Sequence, residues 1–268
     1  MRVCVLGSGS SGNCTLVSSG RVSVLTDLGF GKRSLERRLH AANLAQERIG
    51  AIFLTHAHFD HISGVSAFAA ENKIPVFATP GTLHELPDAK ALPKVEPLGA
   101  GCTVTLGDLN VTAFAISHDA AEPVGFRFRA QGVSGALATD LGQMTPEVAA
   151  CLAGCDWLIL ESNHDENLVR LGPYPWALKQ RLLSPVGHLS NRALAEFLGH
   201  GFDAQARHIF LAHLSRNNNT PALALETARA ALDKRFGGRW WDPARPSQNG
   251  SPCLHLTDQV KPSIVLSL

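Results

Sequence analysis

The chain has 268 residues, 45% of them apolar and 18% charged, with a formal net charge of +1. This supports a sizeable core, excludes a disordered chain, and gives no sign of a globally basic nucleic-acid binder, although a local patch would serve. No stretch approaches the roughly 20 apolar residues of a membrane span.

Met1-Arg2-Val3 runs straight into an apolar strand, so a cytoplasmic protein with no membrane partner is expected. None of the six cysteines forms C-x-x-C, Cys151 and Cys155 in an Ala-rich helical segment read as small buried residues, and a reducing compartment is expected. Twelve histidines against one tyrosine is the unusual feature. Several of these histidines stand at strand ends beside Asp, Ser and Gly, where chemistry is expected.

Taken in chain order, strand 2–6 leads into Gly7–Gly12, GSGSSG, which matches the dinucleotide-binding G-x-G-x-x-G letter for letter. That motif requires a helix after the glycines. Here Asn13–Ser18 is short and β-branched, and Arg21–Thr26 alternates, so strands 14–18 and 22–26 form a hairpin. A βαβ unit of about 30 residues does not fit before Asp27. A dinucleotide site is therefore rejected.

Further strands are expected at 50–54, 75–78, 103–106, 109–116, 124–130, 133–138, 156–160, 207–211 and 253–257. Helices are expected at 32–45, 63–72, 145–153, 176–183, 189–199 and 221–235, and 237–252 reads as irregular. The first half reads mostly as hairpins with helices interposed. Two sheets with helices on their outer faces would bury this many apolar strands.

The chemistry concentrates after strand 50–54, in Thr55-His56-Ala57-His58-Phe59-Asp60-His61. Three imidazoles and a carboxylate at the end of a buried strand are costly without a partner, and a divalent cation supplies one. His56 and His58, two apart on extended backbone, point the same way, while Asp60 and His61 at a turn into a helix suit a second ion. Four later positions offer further ligands, each after an apolar run: His118-Asp119, Asp140, Glu161 with His164 and Asp165, and His213.

Together, GSGSSGNC, THAHFDHISG, ISHDAAEPVGF, TDLG, LESNHD, GHLSN and LAHLSRNNN cover residues 4 to about 221. This chain resembles the metallo-β-lactamase superfamily, and its YycJ/WalJ-like branch in particular. The resemblance implies an α/β fold, a four-layer αββα sandwich formed as a single domain over 1–268. It implies two divalent ions (Zn, Mn or Fe), with His56, His58 and His118 on one, Asp60, His61 and His213 on the other, and Asp140 bridging. Asp27 would orient the histidine loop.

The implied activity is that of a 5′-to-3′ exonuclease on duplex DNA, with duplex ends as the substrate partner. Two ions about 3.5–4 Å apart would share a bridging water, whose hydroxide attacks phosphorus. His188 in GHLSN is the candidate acid for the leaving sugar oxygen, with Glu161 or His164 to orient it, and Asp60 and Asp140 are the catalytic carboxylates.

Ser10, Asn13 and Asn217 are candidates for substrate contact, and Ser10 and Asn13 are equally candidates to support the metal loop. Asn217–Asn219 can alternatively lead into a helix cap. Lys32, Arg33, Arg37 and Arg38, with the scattered Arg127, Arg129, Lys179, Arg181 and Arg216, are candidate phosphate grips. The alternative is a small-substrate hydrolase, a glyoxalase II-like thioesterase or a lactonase. A flavin and di-iron oxidoreductase lacks room for its second domain, and a non-catalytic binding module is disfavoured by the complete ligand set.

Overall fold

A computed structural model describes residues 1–87, 89–237 and 252–268. In chain order the elements begin β1 (Arg2–Gly7), β2 (Cys14–Ser18), β3 (Ser23–Thr26), α1 (Lys32–Ala41), β4 (Ile49–Phe53), α2 (Phe59–Ile62), α3 (Val65–Asn72), β5 (Val76–Ala78) and α4 (Pro80–Glu85). A 3-10 turn (Ala89–Ala91), β6 (Val95–Pro97), β7 (Thr103–Leu106), β8 (Leu109–Ala115), β9 (Val124–Ala130) and β10 (Val133–Ala138) follow. Then come α5 (Pro146–Leu152), β11 (Trp157–Glu161), α6 (Glu166–Leu171), α7 (Trp176–Leu182), α8 (Asn191–Glu196), a π turn (Phe197–Gly201), β12 (His208–Ala212), α9 (Pro221–Phe236), β13 (Cys253–Leu256) and β14 (Leu266–Ser267).

The chain divides into two compact units. The first takes Met1–Ala115, Ala120–Val133 and Thr257–Leu268, and the second Ile116–Asp119 and Ser134–Leu256. In the first unit, one sheet runs β14-β1-β2-β3-β4-β5-β6. β1, β2 and β3 are antiparallel, whereas β3, β4, β5 and β6 are parallel. The hairpins expected of the first half are β1-β2 and β2-β3, and the interposed helices α1 and α3 are the crossovers that the parallel strands β3, β4 and β5 require. Leu6, Leu16, Leu25, Ile52 and Val76 from the sheet, with Leu54 just after β4, pack with Leu35 and Leu39 of α1 and Phe68 of α3 in one apolar core. β7, β8 and β9 form an antiparallel meander.

In the second unit β10, β11, β12 and β13 are all parallel. β11 is buried at every position, as strands covered on both faces are. Three helices open on the same signal: Thr79, Thr145 and Thr220 each accept a backbone N–H three residues on, with proline next in sequence at the helix start. The helix expected at 189–199 starts at Asn191, because Ser190 caps it.

The sequence reading did not anticipate α4, α6, β6 or β14. The expectation of an irregular 237–252 falls almost wholly outside the described residues. Among the described residues no helix is long and apolar enough to cross a membrane.

Candidate metal centre

In the first unit the parallel strands β3 and β4 end side by side, and Asp27 and the histidine loop follow at that shared edge. Asp27 is buried with φ of 59°, a left-handed backbone that L residues adopt at a cost. Its Oδ1 accepts from the Thr55 backbone N–H at 2.8 Å, and its Oδ2 accepts from the Thr55 hydroxyl at 2.9 Å and from His61 Nδ1 at 2.8 Å. The Thr55 hydroxyl, whose O–H donates to Asp27, accepts from His56 Nδ1 at 3.0 Å.

Both buried imidazoles thus carry their lone pair on Nε2. The His56 and His58 rings lie 4.5 Å apart, and those of His56 and His61 4.1 Å apart. Asp60 Oδ2 is 3.8 Å from His61 Nε2.

The GSGSSG turn nests under this loop. Asn13 N–H donates to the Asp60 carbonyl at 2.8 Å, and Gly29 N–H donates to the Asn13 carbonyl at 2.9 Å. The approach is close enough that a Cβ on Gly29 would lie 1.7 Å from the Asp60 carbonyl oxygen. Asn13 is buried, its Oδ1 accepts from Gly9 N–H, and its Nδ2 donates to Asp60 Oδ2 at 3.3 Å and faces His61 Nε2 at 2.9 Å. Of the two uses the sequence left open for Asn13, these contacts describe support of the metal loop. Ser10 is exposed.

In the second unit the parallel strands β10, β11 and β12 bring Asp140, Glu161 and His213 to one edge. Asp140 and His213 also take left-handed backbone, with φ of 55° and 57°. Glu161 is fully buried and saturated. Its Oε2 accepts from the backbone N–H of Leu141 and Leu189, and its Oε1 accepts from His188 Nδ1 and His213 Nδ1, each at 2.8 Å. Asp140 Oδ1 lies 3.6 Å from both of those nitrogens and 3.7 Å from His118 Nε2. His118 Nδ1 donates to the Gly187 carbonyl at 3.0 Å, so His118 and His213 also present Nε2.

Burial would raise the Glu161 carboxyl, but the charge and hydrogen bonds of His188 and His213 outweigh it and hold it at about 2. Burial would lower His188, but Glu161 outweighs it and raises it. Burial lowers His118, which favours the neutral imidazole a metal needs.

The donor chemistry fits divalent metal ions. In four histidines Nδ1 is anchored by a carboxylate, hydroxyl or carbonyl and Nε2 carries the lone pair, the arrangement that orients metal-binding imidazoles. One side-chain atom from each of Asp140, Glu161, His188 and His213 lies within 4.8 Å of the others, which seats His188 beside the candidate ligands Asp140 and His213.

His164 faces Asn163 at 3.3 Å, so Glu161 is the residue that holds His188. Asn217 is exposed and donates to the Tyr174 hydroxyl, while the buried Asn219 donates to the Ser162 and Asn163 carbonyls ahead of the Thr220 cap. Arg181 pairs with Asp119 at 2.6 Å. Arg38 is a correction to the phosphate grip. It is buried, donates to the Leu6 and Gln259 carbonyls, and covers the Phe30 ring at 4.1 Å. The sequence reading missed the second task of Glu161, holding His213, although its place at the end of an apolar strand was the available signal.

A profile of the Beta-lactamase superfamily domain matches residues 23–213. This chain belongs to the metallo-β-lactamase superfamily. It is 34% identical over 237 residues to exodeoxyribonuclease YycJ of Bacillus anthracis, covering 87% of this chain and 90% of that one. It is 36% identical over 225 residues to exodeoxyribonuclease WalJ of Streptococcus pneumoniae serotype 2, covering 82% and 84%. The structure of Zn(2+)-bound PqqB from Methylobacterium extorquens matches with a TM-score of 0.70 at 17% identity, covering all of both chains. The fold is the αββα sandwich of that superfamily, and the chain is a metal-dependent hydrolase.

Proposed function

We propose that this chain is a dinuclear metal-dependent exonuclease that degrades double-stranded DNA from 5′ to 3′ in the cytoplasm, with residues 1–268 read as one metallo-β-lactamase-fold domain. The ligand order along the chain supports assigning His56, His58 and His118 to one ion and Asp60, His61 and His213 to the other, with Asp140 shared. When bound, such ions make a water nucleophilic at neutral pH and neutralise charge on the phosphate under attack.

The protein's own residues do the rest. Asp27 and Thr55 fix the tautomers of His61 and His56, and Glu161 fixes that of His213. His188, only 18% exposed at its side chain and seated on Glu161, gives its proton to the departing sugar oxygen. Ser10, Asn217 and exposed basic side chains contact the DNA backbone.

The observation that carries this reading is the Glu161–His188 pair, because a sugar alkoxide needs a proton to leave whereas the thiolate of a thioester does not. A lactone's alkoxide needs one too, so against a lactonase the reading rests on the relatives. The identity to two exodeoxyribonucleases over more than four-fifths of this chain supports the same substrate class. The test is to strip the protein with chelator, restore Mn²⁺, and assay duplex DNA beside a thioester and a lactone. Manganese-dependent release of nucleotides is expected. Turnover of lactone or thioester with intact DNA would overturn the reading.

A further inference from the structure

The second unit holds another group of ligating side chains, which shares no residue with the hydrolytic set. β12 and β13 pair in parallel, with His208 opposite Cys253 and Phe210 opposite His255. Alternate residues of a strand share a face, so Cys253 and His255 project together. His255 Nε2 lies 3.0 Å from His208 Nδ1 and 2.9 Å from Cys253 Sγ. One ligand atom from each of the three lies within 4.8 Å of the others. Cys253 is buried and both imidazoles are partly exposed, so a cation has a route from solvent. The Phe210 ring backs His255 at 4.7 Å.

We propose that His208, Cys253 and His255 form a zinc site that ties β13 to β12. Two imidazoles and one thiolate are borderline-soft donors of the kind zinc prefers, and water completes a tetrahedron. At ligand distances of about 2.0–2.3 Å, tetrahedral donors stand about 3.3–3.6 Å apart. The three donors therefore open by roughly half an ångström to admit the ion, and rotation of the two partly exposed imidazoles provides it. The thiol proton leaves to solvent as the thiolate binds. β13 is an end strand of its sheet among the described residues, so this tie secures an edge.

The test uses the full chain, stripped with chelator and reloaded with Co²⁺. The proposed hydrolytic ligands include no cysteine, so a thiolate-to-cobalt band in the near ultraviolet reports this cluster alone. The band is expected in the wild-type chain and in His118→Ala, and lost in Cys253→Ser together with one equivalent of metal. His208→Ala, which leaves the thiol in place, is expected to lose the same equivalent and guards against a folding defect in the cysteine variant. Cobalt-loaded wild type without the band, or a band that persists in Cys253→Ser, would overturn the proposal.

Discussion

Glu161 holds His188 through a 2.8 Å contact between Oε1 and Nδ1, and the same oxygen holds His213. Removing the imidazole by His188→Ala is expected to lower kcat by about 10²–10⁴-fold with metal content unchanged, as measured by elemental analysis beside the rate assay. Glu161 outweighs the effect of burial and raises His188, and the protonated form is the active one. kcat therefore falls as pH rises through a value above the ordinary histidine range. Glu161→Gln moves that fall to lower pH, and a pH–kcat profile of both proteins checks it.

Asp27 touches the Thr55 N–H, the Thr55 hydroxyl and His61 Nδ1. Asp27→Asn keeps the shape but exchanges an acceptor oxygen for a donor nitrogen facing N–H and O–H groups. Metal affinity is expected to fall about 10–100-fold, read by competition with a chromophoric chelator.

Gly29 meets the Asp60 carbonyl so closely that no side chain fits. Gly29→Ala is expected to cost about 3 kcal/mol or more in urea unfolding, as overpacking of a rigid backbone contact does. A variant as stable as wild type would show that the loop yields instead.

Arg38 lies inside the first unit, on the Leu6 and Gln259 carbonyls and the Phe30 ring. Arg38→Ala is expected to destabilise the fold by about 2–4 kcal/mol, through lost charged hydrogen bonds and packing. The salt dependence of DNA binding is expected to stay as in wild type, since a phosphate contact would lower its slope.

Much of this was legible in residue order. T-H-A-H-F-D-H after an apolar strand and T-D-L-G after another carry their chemistry locally, and the β-branched residues after GSGSSG correctly excluded a helix there. The rest depends on neighbours distant in sequence. Glu161 reaches His213 only because β11 and β12 pair in parallel, which strand periodicity does not reveal. β6 (Val-Glu-Pro) and β14 (Leu-Ser) are too short to show alternation. α4 (PGTLHE) lacks an apolar stripe and forms on its Thr79 cap and Pro80. The inward turn of Arg38 looks, in sequence, like any other charge on a basic helix face.

The most direct test of the central claim is a time course on duplex DNA that carries a labelled 5′ phosphate, with metal-loaded wild type beside His118→Ala. The account predicts that label leaves first as mononucleotides in wild type and stays on the DNA in the variant. Intact duplex with both metals bound, or equal release by His118→Ala, would contradict it.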